Sequence, residues 1–449
     1  MTEQIFMVTE SIDKRCAHGG KRMKRLGFRL PAFLLTIFFM LTLSSCASHD
    51  TEPEPLADYG QDGATFARKL AAECPRRVPF SNQEKKAAQL IIEQLKTEGY
   101  EPEQQFFSVK DETGVERTSS NIIVRLKGVG FKRSKSAAKH ADAPDTIRDR
   151  LMVIGAHYDT PWIEDKLDTE GKPIPIKADG IHDNASGVAS VLTAARVMRE
   201  MTPGYDVTFV FFGAGTANYA GASHYLKSMS KEDRQRLECM MNIGPVYAGD
   251  KVYAHAGQNS VVGGEFKDYS KRRKLYQVTD VFFENLLYTR NEYAVYTNQA
   301  SFQVQLANGQ TAVFREWTTK RSDHTPFDNA GIPVVFIESG DYNIESLDEI
   351  GLESINQMFQ NTNGRLSGTN WDNMKELDAL FEELDKLKEY QQIPQINTAK
   401  ETQADGTADP ATTKPKKKPI DRLTQRVNNT AFVLAHVARK GPADYEFIS

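Results

Sequence analysis

One strand, loop and helix unit in the middle of the chain constrains the fold more than any other feature. The apolar run from Leu151 to Gly155 predicts a buried strand, and His157 and Asp159 follow it directly. After a loop, Asp183 precedes the apolar stretch from Val188 to Val197, which predicts a helix. Open α/β sheets keep their sites at the carboxyl ends of strands. We therefore expect His157 and Asp183 to lie close enough together to share a metal ion.

The same unit also allows a purely structural interpretation. Asn184 and Ser186 are residue types that cap helices, and His157 has the position of an ordinary hydrogen-bonded core histidine. A histidine and an aspartate with one residue between them form too short a motif to decide between the two interpretations. Residues from later in the chain are needed for that.

Two further apolar runs extend the pattern. Val207–Phe212 and Ile332–Ile337 each predict a buried strand, and the segments between the strands contain helical patterns. Alternating strands and helices are typical of an α/β sandwich with a mainly parallel or mixed sheet.

The N-terminal segment has the pattern of a targeting signal. A basic cluster from Lys21 to Arg25 precedes an apolar stretch, Leu30 to Leu43, that is short for a membrane span. The stretch ends at Cys46, and the pattern resembles a bacterial lipoprotein signal, in which the cysteine is lipidated. We therefore expect an exported protein, lipid-anchored to a bacterial cell-envelope membrane through Cys46. A plain secretory signal and an uncleaved anchor are the alternatives, and Met23 is a more typical start than Met1.

The rest of the chain divides by composition. An acidic tether precedes the main domain, which contains a polar, basic loop, and a low-complexity segment separates the domain from a last helix. The predicted boundaries are 1–46 for the signal, 47–61 for the tether, 62–390 for the main domain, 131–150 for the basic loop, 391–418 for the low-complexity insertion and 419–449 for the C-terminal helix.

Charge and cysteine content exclude several classes of protein. The net charge is −4, so nothing favours nucleic-acid binding. The four cysteines include no closely spaced pair, which excludes a cysteine-rich zinc module and a disulfide-dense scaffold. Export would permit a Cys74–Cys239 disulfide, although two buried free thiols are the favoured alternative.

Four motifs in order resemble the co-catalytic zinc aminopeptidase family, which also contains glutaminyl cyclases. They are GAHYDT from Gly155, DNASGVA from Asp183, VTFVFFGA from Val207, and SDHTPF from Ser322 followed by GIPVVFI. The resemblance implies a three-layer α/β sandwich in which helices flank a mixed, mostly parallel central sheet. It also implies two zinc ions that share one carboxylate and activate a bridging water, with a glutamate as general base.

The resemblance transfers some site residues to this chain. His157 and His324 match the two metal-binding histidines, and Asp183 matches the bridging aspartate. Asp159 matches the residue that orients the first histidine, and Asp323, next to His324, is expected beside the ligands.

Other family residues are missing. The ligand and general-base glutamates should follow VTFVFFGA, where this chain has Gly215 and Thr216. The second ligand aspartate should directly follow the stretch Met241-Asn242-Ile243, where this chain has Gly244. Each zinc would keep two protein ligands instead of three, so zinc is expected to bind weakly or not at all. Asp179, His182, Tyr219, His224 and Asp323 are the conceivable substitutes.

These gaps predict a lipoprotein of the aminopeptidase-like metallopeptidase family that is catalytically degenerate. Such a protein would bind peptides or proteins, with their N-termini as possible partners. The alternatives are an active zinc exopeptidase, or a glutaminyl cyclase-like enzyme, with rearranged ligands, and a surface scaffold in which the cleft plays no part. Whether the protein is an enzyme stays open, because fold does not fix function.

Overall fold

The computed structural model describes most of the chain from residue 60 onward. The predicted signal with Cys46, nearly all of the tether and nearly all of the 391–418 insertion lie outside the described residues. The described ranges are 60–111, 113–135, 143–256, 274–275, 277–278, 280–281, 293–297, 301–305, 311–315, 320–341, 351–392 and 421–448.

A mixed eight-stranded sheet forms the centre of the described part. Its strand order is β1-β2-β6-β5-β7-β12-β8-β9. The inner strands β6, β5, β7 and β12 are parallel neighbours, whereas β1, β2 and β8 pair antiparallel. The strands are β1 Glu103–Lys110, β2 Glu116–Leu126, β3 Phe131–Arg133, β4 Thr146–Ile147, β5 Leu151–His157, β6 Asp206–Phe212, β7 Leu237–Ile243, β8 Lys251–His255, β9 Val295–Thr297, β10 Ser301–Gln305, β11 Thr311–Arg315, β12 Val334–Gly340 and β13 Tyr445–Phe447.

Helices cover both faces of this sheet. Helices α1, α3 and α8 pack together on one face, and α4 and α6 lie on the other. The helices are α1 Gly60–Glu73, α2 Asn82–Thr97, α3 Ser186–Met201, α4 Ala220–Ser228, α5 Lys231–Arg236, α6 Thr325–Asn329, α7 Met374–Gln392 and α8 Arg422–Val437. The three-layer α/β sandwich with a mixed, mostly parallel central sheet is therefore confirmed.

Strand β5 shows why its apolar run is continuous. Met152 and Ile154 contact the core under α3, while Leu151 and Val153 face the opposite layer. Every residue of β5 is buried. A strand covered on both faces needs apolar residues at successive positions, which the sequence shows.

One local prediction differs from the structure. The segment 131–150 was expected to be a basic loop, but its described part contains β3 and β4, which join β13 in a small sheet. These strands are too short to produce a detectable alternation of apolar residues. Elsewhere, Ser81 caps α2 by accepting from the Glu84 amide at 3.1 Å, and the Glu84 carboxylate accepts from the Phe80 amide at 2.6 Å.

Cys74 and Cys239 are both buried and free, as the favoured alternative predicted. Burial raises the pKa of Cys239 to about 12. Among the described helices, none is long and apolar enough to cross a membrane.

Candidate functional site

The candidate site lies where β5, β6 and β7 end. His157 is the last residue of β5, and Asp183 lies in the turn Ile181–Ala185 that leads into α3. Nε2 of His157 is 3.3 Å from Oδ1 of Asp183. The structure thus brings together two of the three residues that the sequence assigns as metal ligands.

Asp372 holds the turn that carries Asp183. Its two oxygens accept from the backbone amides of His182 at 2.7 Å and Asp183 at 3.1 Å. Burial raises the pKa of Asp372 to about 7. Asn184 caps α3, as its residue type suggested, because Oδ1 accepts from the Gly187 amide at 3.2 Å.

His157 lies between two carboxylates. Nδ1 is 3.5 Å from Oδ1 of Asp159, and Nε2 faces Asp183. Burial by itself lowers the pKa of His157, but the two carboxylates raise it well above its usual value. The two carboxylates therefore favour the protonated imidazole, and because a zinc ligand is neutral, a zinc ion would have to displace that proton.

The two residues in the glutamate positions bind Asp159. Its oxygens accept from the amides of Gly215 at 2.8 Å and Thr216 at 2.9 Å, and from the Thr216 hydroxyl at 2.6 Å. Burial works against ionisation of Asp159, but His157 and Thr216 lower its pKa overall. The loop after β6 therefore contributes hydrogen-bond donors where the family has acids.

The glycines also leave no room for larger side chains. A Cβ atom at Gly215 would be 2.4 Å from Cβ of His157, and one at Gly244 would be 2.9 Å from the Phe336 ring. The glycines therefore do not leave empty space where the acidic side chains would be. Neighbouring atoms occupy the space that those side chains would need.

Asp323 reaches toward the space beside Gly215. Its Oδ1 would be 3.1 Å from a Cβ atom at Gly215. The side chain is fully buried, and neither oxygen accepts a hydrogen bond from another described residue. Burial raises the pKa of Asp323 to about 7.

His324 does not join the pair formed by His157 and Asp183. Its ring stacks on Phe336 at a centroid distance of 4.5 Å, and Nδ1 is 3.5 Å from Nδ2 of Asn242. Burial lowers the pKa of His324 to about 3, so it is neutral. Within the described residues it makes no ion pair with a carboxylate.

The other conceivable substitutes serve different contacts. Asp179 accepts from the amides of Ile181 and Met374, and the His224 ring stacks on Phe107. Tyr219 lines the cleft described below. None of these side chains completes a metal site with His157.

Sequence reasoning missed three charged residues in the site. The Lys320 ammonium is 3.0 Å from Oε2 of Glu338, in β12. Glu353 accepts from Ser367 at 2.7 Å and lies 3.2 Å from Nε2 of His182. The acids and the lysine lie far from one another in sequence, although a glutamate at the end of an apolar strand run was a signal for Glu338.

The donor set does not fit a two-zinc centre. Each zinc requires about three protein ligands beside one open position. In the parts of the chain that the structure describes, no three His, Cys, Asp or Glu side chains are grouped so that they could hold a metal ion. The Lys320 ammonium is also close enough to Glu338, Glu353 and Asp183 for their charges to raise its pKa.

A cleft of about 290 Å³ opens above these residues. Asp183, His157 and Lys320 line it, and Arg321 and Arg365 lie at its exposed edge. Neither arginine forms an ion pair within the described residues. The cleft is large enough for a small peptide end and presents charges of both signs.

The family comparison covers just over half of the chain. Residues 138–379 match the family described as Peptidase family M28. The alkaline phosphatase isozyme conversion protein of Escherichia coli (strain K12) is 23% identical over 331 residues, which are 72% of this chain and 82% of that protein. The aminopeptidase YwaD of Bacillus subtilis (strain 168) is 29% identical over 130 residues, which are 29% of this chain but only 22% of that protein.

Solved structures are similar to this chain at lower identity. A zinc aminopeptidase from Bacillus subtilis is 13% identical with a TM-score of 0.50, covering 88% of this chain and all of that one. A glutaminyl cyclase from an Acidobacteriales bacterium is 15% identical with a TM-score of 0.49, covering 87% of this chain and 98% of that one.

Proposed function

This chain belongs to peptidase family M28, and from that premise we propose that it is a non-catalytic member that binds peptides in its cleft. The observation that carries the proposal is the arrangement around Gly215, Thr216 and Gly244. Where acids would hold and activate a metal-bound water, the chain places backbone donors and the Phe336 ring. General-base catalysis contributes about 10²–10⁴ in rate, and no carboxylate stands at the family position for it.

Charge compensation by side chains supports the same conclusion. Lys320 pairs with Glu338, and protonated His157 lies between Asp159 and Asp183. Lys320 therefore offsets the charge of Glu338, and His157 offsets one of the two aspartate charges, so protein cations supply part of the positive charge that a metal ion would bring. A peptide can bind in the open cleft without a metal ion, because binding does not include the hydrolytic step.

The occupant that we propose is the free N-terminal end of a peptide or protein. Relatives that are named aminopeptidases support this choice. Asp183 offers a carboxylate to an ammonium group at the floor of the cleft, and Arg321 and Arg365 offer donors to backbone carbonyls at its edge.

Metal content and turnover test the non-catalytic part of the proposal. The protein, purified with zinc in all buffers, should retain well under one zinc per chain by mass spectrometry. It should also show no chelator-sensitive turnover of aminoacyl or N-terminal glutaminyl reporter peptides. Tight stoichiometric zinc, with turnover that a chelator abolishes, would overturn it.

Peptide binding tests the other part. Fluorescently labelled peptides with a free N-terminus should bind more tightly than their N-acetylated counterparts. The difference should shrink in Asp183→Asn, which keeps the side-chain shape. Equal binding of both peptide forms would contradict recognition of the N-terminus.

One observation favours the second candidate, an active zinc exopeptidase or cyclase with rearranged ligands. The Asp323 carboxylate has no hydrogen-bond partner among the described residues and lies near the space beside Gly215. In that case His157→Ala and Asp183→Ala should each abolish turnover. Unchanged turnover in both variants would remove this candidate.

We also propose export and lipid anchoring through Cys46, on the sequence pattern alone. Expressed in a bacterium, the protein should fractionate with membranes and incorporate labelled fatty acid. Cys46→Ser should abolish the labelling, and labelling that persists in the variant would contradict the assignment.

A further inference from the structure

We propose that an apolar groove beside the cleft is a second part of the same binding site and holds apolar side chains of the bound peptide. The inference rests on the proposed peptide binding and adds the class of peptide that the site selects. The groove has a volume of about 840 Å³, against about 290 Å³ for the cleft. Ligand sites commonly have volumes of about 300–1,000 Å³ and largely apolar walls.

The groove exposes large apolar side chains. Trp162 is 65% exposed and Ile174 is 40% exposed, and both line the groove with Ile163, Ile176 and Trp371. No ring contact or hydrogen bond fixes the Trp162 indole within the described part of the chain. Contiguous exposed apolar surface of this kind marks an interaction site.

The first wall of the groove is a preformed hairpin. Leu167 pairs with Pro173, and Oδ1 of Asp168 accepts from the amides of Glu170 at 2.9 Å and Lys172 at 2.8 Å. The hairpin therefore has a defined turn that presents Ile174 to the groove.

The second wall is fixed as well. Nε1 of Trp371 donates to Asn361 at 3.0 Å, and its ring meets Phe359 edge-on at 5.1 Å. The Asn370 side chain joins the two walls, because it accepts from the Lys177 amide at 2.8 Å and donates to the Pro175 carbonyl at 3.2 Å. A groove with both walls held before binding loses little entropy when a ligand enters.

Both walls continue directly into the cleft. On one side His157 lines the cleft and Trp162 lines the groove, five residues later. On the other side Ser367 lines the cleft and its neighbour Gly368 lines the groove. Five residues span at most about 18 Å, so an extended peptide would reach the groove within about five or six residues of its end in the cleft.

The occupant is therefore an extended peptide whose N-terminus lies in the cleft and whose apolar residues begin within its first five or six positions. A partner protein that presents a disordered, apolar N-terminal segment has this chemistry. A peptide without apolar residues would lose the groove contacts and bind by its end alone.

Labelled dodecapeptides with a free N-terminus on a Gly-Ser background test this inference by fluorescence polarisation. One probe carries Leu-Phe-Leu at residues 5–7, a second carries it at residues 10–12, and a third lacks it. The first should bind the full-length protein about tenfold or more tightly than the third. The second should gain less, because its triplet lies beyond the calculated reach.

Matched variants separate the groove from other surfaces. Trp162→Ser and Ile174→Ser should each remove most of the gain from the triplet and leave binding of the third probe unchanged. Phe106→Ser is the control, because Phe106 on β1 is also 65% exposed but lies outside the groove. It should bind all three probes as the wild type does.

The outcomes distinguish this inference from the proposed function. If probes bind but the triplet gives no gain, or if the groove variants match Phe106→Ser, the groove inference is wrong and peptide binding in the cleft stands. If the protein contains zinc and hydrolyses peptides, the non-catalytic proposal fails. Groove variants should then still raise KM selectively for the first probe, and an unchanged KM would overturn the groove inference as well.

Discussion

Replacing Asp323 by asparagine keeps the shape of a fully buried side chain and removes its ability to ionise. Neither oxygen of Asp323 accepts a hydrogen bond from another described residue. The negative charges of Asp159 and Asp183 also repel the ionised form of Asp323. Burial is the largest effect, and the pKa of Asp323 rises from 3.8 to about 7.

The sign of the effect follows from comparing the folded and unfolded states. Because the pKa is higher in the folded state, the folded protein retains a proton that the unfolded chain releases between about pH 4 and pH 7. Wild-type stability from this group is therefore greatest below pH 4 and is lost as the pH rises to about 7. Each tenfold change in proton affinity corresponds to about 1.4 kcal/mol, so the loss amounts to at most about 4 kcal/mol.

Urea unfolding at pH 5 and pH 8, with a chelator present, measures this difference. Asp323→Asn should exceed the wild type's free energy of unfolding by about 1–2 kcal/mol at pH 5 and by about 3–4 kcal/mol at pH 8. Glu84 and Asp372, whose pKa values also rise to about 7, contribute equally to both proteins and cancel in the comparison. Asp149→Asn is the control, because Asp149 is exposed, and it should show no such gain.

A stability difference that does not change with pH would refute the reasoning, since Asp323 would then be ionised or hydrogen-bonded throughout. Repeating the measurement with zinc separates the two candidate functions. If Asp323 were a metal ligand, Asp323→Asn would be less stable than the wild type at pH 8 with zinc, which is the opposite sign.

Three other perturbations follow from the same packing. Gly215→Ala should lower the free energy of unfolding by about 1–3 kcal/mol in urea titrations, because its Cβ would be 2.4 Å from that of His157, and unchanged stability would contradict the close packing. Arg77→Met should cost at least about 3 kcal/mol by the same assay, because the buried guanidinium donates to three backbone carbonyls around the site; a loss under about 1 kcal/mol would contradict that role. Cys74 and Cys239 should react with a thiol reagent only on unfolding, and a melting temperature that falls on adding reductant would reveal a disulfide.

The parts of the fold that the sequence predicted are those with a strong local signal. The run from Leu151 to Gly155 lies within β5, and the run from Val207 to Phe212 lies within β6. Strands buried on both faces require continuous apolar residues, so their boundaries are visible in one sequence. His157 and Asp183 were predicted as neighbours because strand ends in parallel sheets lie together.

The contacts that define the site chemistry have no local signal. Asp372 lies far from Asp183 in sequence but holds its turn, and Lys320 pairs with Glu338 across separate elements. No periodicity or motif spacing encodes a pairwise distance between distant side chains. The sequence shows that both glutamates are absent. It does not show that the amides of Gly215 and Thr216 donate hydrogen bonds to Asp159 instead.

The charges of the site bear on what a metal ion would have to displace. Two protein cations, His157 and Lys320, face Asp159, Asp183 and Glu338, whereas His182 accepts from the Ala248 amide through Nδ1 at 3.1 Å and faces Glu353 through Nε2. Burial lowers the pKa of His157 and of Lys320, but the neighbouring carboxylates outweigh it and raise both pKa values, that of His157 well above its usual value. A zinc ion that used His157 and Asp183 would first have to remove the imidazole proton and then sit near the Lys320 ammonium. Zinc affinity should therefore rise with pH and be greater in Lys320→Met than in the wild type, because the substitution removes the competing charge without changing the other side chains.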